Sequence, residues 1–377
     1  MTLADVAAES KIIITCGPGG IGKTTCAAAL GVAIARSSDR RVLVVTVDPA
    51  RRLADALGLS GIGNDATKVE LDGLGQLSVA MLDTKASWDA LIRRHAPDLD
   101  TAQRILNNTL YQNITSRFIQ SHDYIAMERL HELVDTGLYD LIVVDTPPTR
   151  NALDFLDAPS RMADFFSSRL LRWLIAPAKG GVMSFAAKPF TSVADRVLGG
   201  PFVSDISEFF LRLNTMYGGF VTRARMVERL LAEESTSFVV VSTLEAVPVG
   251  EASFFVEELA RRKLHVRGWI LNRVLPGSIG DGRLEAAVDE LCRADLDALA
   301  AQFETESSSL ERVRSALVDN VRAWSTVARQ EVTQSARLAH GSVALFPVPT
   351  LDGEISELSG LTRLGELLIH VPAVLRS

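Results

Sequence analysis

The sequence predicts an α/β fold, a doubly wound and mainly parallel sheet of about seven to eight strands that carries a helical insertion subdomain. Three observations lead to this prediction. Short runs of β-branched and aliphatic residues recur along the chain, most runs are apolar at nearly every position, and helical patterns separate most of them. Strands that are apolar on both faces are typical of a parallel sheet covered by helices on both sides.

Seven runs are predicted to be strands, each bounded by turn or helix signals. They are residues 11–16, 41–47, 77–82, 140–145, 237–243, 266–272 and 342–348. Helical patterns follow the first and fifth strands, at residues 24–37 and 250–264. Residues 284–304 and 310–332 each have the apolar spacing of one amphipathic helix.

The chain is expected to divide into a sheet domain and an inserted helical subdomain. Residues 1–150 and 236–377 would form the sheet domain, and residues 151–235 the insertion. The insertion is rich in Phe, Met and Leu, and the apolar residues at 162–174 are spaced to form one stripe on a helix. Such stripes ordinarily pack against the rest of the protein.

Composition argues against several classes of function. The 377 residues carry a net charge of −7 without a basic stripe, so we expect no nucleic-acid binding. The N-terminus lacks the pattern of a signal peptide, and no apolar run of about 18 residues occurs. We therefore expect a cytoplasmic protein with no integral membrane span. The scattered Cys16, Cys26 and Cys292 support neither a disulfide framework nor a zinc site.

A glycine-rich stretch between the first strand and its helix carries the clearest functional signal. Gly17 to Thr24 matches G-x-x-x-x-G-K-[ST], whose backbone N–H groups cradle phosphates at the start of a helix. Lys23 is expected to reach the β- and γ-phosphates, Thr24 to bind Mg²⁺, and Thr25 to donate to the α-phosphate. The residues predicted to bind the nucleotide here are Gly19, Gly20, Ile21, Gly22, Lys23, Thr24 and Thr25.

Two aspartates end predicted strands close to this loop. Asp145 ends the strand 140–145, where an acidic residue holds the metal in P-loop NTPases. The alternative is that it caps the following helix, which the sequence DTPP would also allow. Asp48 follows the second strand, where a carboxylate could orient attacking water, although Asp-Pro is also an ordinary turn signal.

Five segments, taken in order, resemble the ArsA/GET family of deviant-Walker ATPases, and in particular its actinobacterial anion-transporting-ATPase-like branch. The segments are GPGGIGKTT, DPARRLADAL, DTPPTRNALDFL, ILNR and PTLDGEISELSGL. The resemblance implies an ATPase that uses ATP and Mg²⁺, in which Asp48 positions the attacking water. It also implies that Asn272 reads the adenine edge. The residues that match the loop closing over the base are Pro349, Leu351, Glu354 and Ile355.

Members of this family work as dimers that sandwich two nucleotides, close with ATP and open after hydrolysis. The resemblance therefore implies that this chain pairs with itself or with a paralogous subunit. It also implies a role in protein targeting, in which the nucleotide state is coupled to a hydrophobic client helix or a membrane-protein partner. The insertion would then offer its apolar stripe to the client instead of burying it. An arsenite pump is disfavoured, because Cys292 is the one thiol outside the loop region and cannot form a multi-thiolate site alone.

One position of the loop departs from the family's pattern. Pro18 stands where the family has a lysine that reaches the phosphates of the partner subunit. Catalysis would then lack a cation of the arginine-finger kind. Arg150 could supply this charge, or could form an ordinary surface salt bridge, and a paralogous subunit could supply it instead. With no such cation, the chain would be a nucleotide-locked scaffold that hydrolyses little ATP.

Overall fold

The computed structural model describes most of the sheet and its helices, and only scattered parts of residues 148–216. The described residues are 1–47, 52–59, 61–108, 111–112, 119–147, 156–158, 160–161, 164, 168, 209–212, 217–280, 282–338, 343–351, 353, 355, 357–370 and 372–373.

An eight-stranded sheet lies between two layers of helices, which confirms the predicted fold class. The strands are β1 (Ile12–Cys16), β2 (Arg41–Thr46), β3 (Thr67–Val69), β4 (Gln76–Met81), β5 (Leu141–Asp145), β6 (Thr236–Ser242), β7 (Val266–Val274) and β8 (Ala344–Pro349). Their order across the sheet is β3-β4-β2-β5-β1-β6-β7-β8. Neighbouring strands are parallel, except that β3 pairs antiparallel with β4 at the edge.

The helices follow the strands along the chain. They are α1 (Leu3–Glu9), α2 (Lys23–Ser37), α3 (Arg52–Ala56), α4 (Thr84–His95), α5 (Leu99–Leu106), α6 (Ile119–Asp135), α7 (Tyr217–Ala232), α8 (Ala246–Arg261), α9 (Gly277–Gly280), α10 (Arg283–Arg293), α11 (Leu296–Gln302), α12 (Ser307–Leu338) and α13 (Leu358–His370). None of these helices is both long enough and apolar enough to cross a membrane.

Each central strand contributes side chains to two separate cores. On β1, Ile13 packs in the core that includes α2 and α13, whereas Ile12 and Ile14 pack on the opposite face with α6, α7 and α8. The same alternation holds on β2, where Val44 and Leu43 lie on opposite faces. Burial on both faces explains why these strands are apolar at nearly every position.

A third apolar cluster joins α4, α5, α6 and α7. It includes Trp88, Ile105, Tyr124, Phe209 and Ala224, so part of residues 151–235 packs against residues 84–135. Glu128 on α6 and Arg223 on α7 form a buried ion pair inside this region, and Tyr124 donates to the same carboxylate at 2.9 Å. The apolar residues predicted to form a stripe at 162–174 lie outside the described part of the chain, and the division into domains stays a prediction.

The helices before β8 differ from the prediction in two ways. Residues 284–304, predicted as one helix, form α10 and α11, because the chain is extended at Ala294 and Asp295 caps the second helix. The Asp295 side chain accepts hydrogen bonds from the backbone of Asp297 and Ala298. In α12, apolar side chains stay exposed along one side of the helix. They are Val313, Leu317, Trp324 and Val327, which are between 40% and 55% exposed.

Candidate functional site

The glycine-rich loop runs from the end of β1 to the start of α2, as the sequence predicts. Gly17 has φ of 148°, and a Cβ atom there would lie 2.0 Å from the carbonyl oxygen of Val241. Gly22 has φ of 93°, and a Cβ atom there would lie 2.6 Å from the side-chain nitrogen of Asn272. Only glycine fits these two positions without moving a neighbour, so the loop is a backbone cradle of fixed shape.

Lys23 begins α2 with its ammonium group directed back across the loop. Its side chain is buried, with 7% exposed, and Nζ donates to the carbonyl oxygen of Pro18 at 2.7 Å. This geometry keeps the positive charge beside the loop amides, where a phosphate chain would bind. Because the acceptor is a main-chain oxygen, a proline at residue 18 can accept this bond as well as any other residue.

Asp145 lies at the centre of the site because β5 pairs with both β1 and β2. The register places it opposite Thr15 on β1 and Thr46 on β2. Its carboxylate is fully buried and accepts hydrogen bonds from Thr24 Oγ1 at 2.7 Å and from Thr46 Oγ1 at 3.0 Å. The two predicted metal-binding residues, Thr24 and Asp145, are therefore in direct contact. Carboxylate and hydroxyl oxygens are hard donors of the kind that Mg²⁺ prefers.

Asn272 lies on β7, which β6 separates from β1. Its side chain contacts the glycine loop that follows β1. Its Nδ2 donates to the carbonyl oxygen of Ile21 at 2.8 Å, and its Oδ1 accepts from the backbone N–H of Arg273 at 3.0 Å. The side chain is nearly buried and supports the loop at Gly22. Asn272 thus lies against the glycine loop, and its reading of an adenine edge stays a prediction.

The end of β8 lies beside Asn272, since β8 is the neighbour of β7. Pro349 pairs with Val274 across these strands, and the backbone N–H of Thr350 donates to Val274 at 2.9 Å. Leu351 and Ile355 are half-buried and pack against the core that contains α2. Pro349 and Leu351 therefore lie at the same carboxyl end of the strands as Asn272. The role of this segment in binding a base stays a prediction.

Three of the predicted residues lie outside the described part of the chain. They are Asp48, Arg150 and Glu354. Conversely, sequence reasoning missed Thr46, which holds Asp145 from β2. A threonine that ends an otherwise apolar strand was the available signal, but its contact depends on the pairing of β2 with β5.

The cysteines near the loop are held as neutral thiols. Burial, together with the nearby charge of Asp145, raises the pKa of Cys26 to about 12, although the positive charge of Arg273 acts in the opposite direction. Burial also raises the pKa of Cys16 well above its usual value. Neutral buried thiols are poor nucleophiles and poor metal ligands, so neither group is a reactive centre of this site.

Comparisons with known proteins agree on one class of protein. The sequence model of the ArsA family, described as anion-transporting ATPase, matches residues 10–308. ATPase ASNA1 homolog 1 of Paramecium tetraurelia is 27% identical over 274 residues, which cover 70% of this chain and 75% of that protein. ATPase ARSA2 of Chlamydomonas reinhardtii is 26% identical over 301 residues, covering 78% and 77%. ATPase GET3 of Mycosarcoma maydis is 25% identical over 265 residues, covering 70% and 73%.

Proposed function

Since the chain belongs to the anion-transporting ATPase (ArsA) family and is therefore an ATPase, we propose that it is an ATP-driven dimeric switch of the ArsA/GET type. Its nucleotide state would control the binding of a hydrophobic client or a membrane-associated partner, and it would act in the cytoplasm. One observation carries the catalytic part of this proposal. The glycine loop, Lys23 and the contact between Thr24 and Asp145 lie together, which supports a single phosphate and metal cradle.

The nucleotide would bind with its phosphates against the loop amides between Gly19 and Thr25. Lys23 lies across the loop already and needs only to exchange the carbonyl of Pro18 for a phosphate oxygen. That exchange replaces a neutral acceptor of the ammonium group by an oppositely charged one, so it favours the bound state. Asn272 and the segment Pro349–Leu351 would then contact the base end.

Thr24 and Asp145 are the residues that would hold Mg²⁺. The Thr24 hydroxyl donates to the Asp145 carboxylate at 2.7 Å, so the two oxygen-bearing groups are close enough to serve one ion. Mg²⁺ commonly keeps several waters and uses one or two protein carboxylates, which agrees with this small set of ligands. When bound, the ion neutralises charge on the phosphate oxygens. Thr46 keeps the Asp145 carboxylate in position from β2.

The remaining catalytic roles are proposed from the resemblance. Asp48 would orient the attacking water, and Arg150 would supply the positive charge that Pro18 does not bring. A paralogous subunit could bring the charge instead, which makes the dimer partner either a second copy or a related chain.

Steady-state phosphate release tests the proposed activity. We expect the wild type to release phosphate from ATP at least about 100-fold faster than Asp48→Asn, because water orientation by a carboxylate has effects of this size. Lys23→Ala should lose ATP binding, whereas Asp48→Asn should keep it. The alternative, a nucleotide-locked scaffold, which Pro18 favours, predicts no such difference in rate. Equal phosphate release by the wild type and Asp48→Asn would support it and reject the ATP-driven switch.

Crosslinking in the ATP and ADP states tests the switch. The Asp48→Asn variant holds ATP and serves as the trapped state. We expect the self-crosslinked dimer, and any co-purified membrane protein, to change between the two nucleotides. Identical self-crosslinks in both states, with nothing else recovered, would count against a client-handling role.

A further inference from the structure

The end of β7 contains a β-bulge beside the glycine loop. Leu271 pairs with Pro347, and Val274 pairs with Pro349. Two residues of β7 lie between these pairs, against one residue of β8. One extra residue is therefore present on β7. Bulges change the direction in which side chains leave a strand and are frequent next to binding sites.

Arg273 occupies this bulge in a left-handed backbone conformation, with φ of 59°. This region is unfavourable for a residue with a long side chain, whereas glycine and asparagine tolerate it. The conformation lets the backbone N–H of Arg273 reach Oδ1 of Asn272, which in turn holds the loop at Ile21. A glycine would make the same backbone contact without strain, so the backbone alone does not account for arginine.

Arg273 lies at the carboxyl end of β7, directly after Asn272, whose side chain contacts the glycine loop. The residue is exposed, and within the described part of the chain its side chain forms no hydrogen bond or ion pair. Strain retained where glycine would make the same backbone contact is a sign of a functional side chain.

We propose that Arg273 is a nucleotide-binding residue whose guanidinium packs on the face of the bound base. The proposal rests on the ATP site proposed above and adds a specific contact to it. Arg273 follows Asn272, at the base end of the cradle, whereas Lys23 serves the terminal phosphates. A planar guanidinium stacks well on an aromatic ring, and the contact is the same whether two or three phosphates follow. Arg273 therefore binds ADP and ATP equally.

Two variants test this contact. Arg273→Gly relieves the left-handed strain, and Arg273→Asn tolerates it, while both remove the guanidinium. We expect Arg273→Gly to raise the melting temperature without nucleotide. We also expect both variants to weaken the binding of ADP and ATP by the same factor, about fivefold to tenfold, as for loss of a cation–π contact. Arg267→Asn, at the far end of β7, is the matched control and should keep wild-type affinity.

Calorimetric titration with ADP and with a non-hydrolysed ATP analogue gives the affinities, and thermal unfolding gives the stabilities. Wild-type affinity in both variants would overturn this inference alone, and so would a loss confined to ATP, which would place Arg273 at the γ-phosphate. Absence of nucleotide binding by the wild type would overturn the proposed function and this inference with it.

Discussion

At the scale of single residues, the site depends on Asp145 and on the two hydroxyl groups that hold it. Thr24 and Thr46 approach its buried carboxylate from α2 and from β2. A buried carboxylate needs such donors, since burial without hydrogen bonds is costly. Thr46 therefore has a positioning role, which is separate from the proposed metal contact of Thr24.

Thr46→Val should lower the free energy of unfolding by about 1 kcal/mol, because the isosteric valine removes one buried hydrogen bond. Urea unfolding measures the change, and Thr333→Val on the exposed side of α12 is the control, with an effect below about 0.5 kcal/mol. An equal effect in the two variants would show that Thr46 contributes little to holding Asp145.

In an Arg150→Ala background, which lacks the charge proposed above, Pro18→Lys should increase the rate of phosphate release by about tenfold or more, because it would supply a cation of the arginine-finger kind at the proposed dimer interface. Pro18→Ala is the control: it keeps the main-chain oxygen that accepts from Lys23 but adds no charge. Equal rates with and without Pro18→Lys in this background would indicate that a paralogous subunit supplies the charge, or that the protein does not close as a dimer.

At the scale of helices and strands, the sequence predicts what repeats locally and misses what depends on distant partners. All seven predicted strands are present, because each is buried on both faces and is therefore apolar throughout. The missed strand β3 has three residues and exists only through its pairing with β4. The break between α10 and α11 was readable in principle, since Asp295 is a standard N-cap residue, but helical periodicity continues through it.

Close packing of α2 against α13 depends on Gly365. A Cβ atom there would lie 2.4 Å from the carbonyl oxygen of Ala29 and 2.9 Å from Cβ of Ala33. We expect Gly365→Ala to lower the free energy of unfolding by about 1–3 kcal/mol through overpacking. Gly250→Ala on α8 is the matched control, because a Cβ atom there would meet no atom within 4 Å. This variant should raise the free energy of unfolding by about 0.5–1 kcal/mol, since alanine favours a helix more than glycine does. The same sign in both variants would contradict this packing.

An ion pair joins the first residue of β2 to the residue before β5. Arg41 Nη2 lies 2.7 Å from Asp140 Oδ1, and hydrogen bonds from Arg41 lower the pKa of Asp140 to about 2, from a usual value of 3.8. Because the folded-state pKa is depressed, the contribution to stability is present above the unfolded pKa and is lost as pH falls towards 2. Asp140→Asn should therefore lower stability near neutral pH, and urea unfolding should show this difference shrinking below about pH 4. A difference independent of pH would contradict the ion pair's role.

At the scale of the whole molecule, the sheet order brings together segments that are far apart in the chain. β1, which leads into the glycine loop, lies between β5 and β6. Asp145 ends β5, and Asn272 lies on β7, the next strand after β6. Local motifs were sufficient to predict Lys23, Thr24 and Asp145 as one site. The support of the loop by Asn272 and the bulge at Arg273 depend on register between strands, which no local pattern specifies.

The affinity for ATP, measured by calorimetry as a function of Mg²⁺ concentration, tests most directly whether these segments form one Mg²⁺-dependent ATP site. Wild type and Asp145→Asn are compared, because asparagine keeps the shape and one acceptor oxygen for the threonine hydroxyls but removes the negative charge. The geometry of Thr24 and Asp145 predicts that Mg²⁺ tightens ATP binding by the wild type and has little effect on the variant. The same Mg²⁺ dependence in both proteins, or none in the wild type, would contradict the assignment of this site.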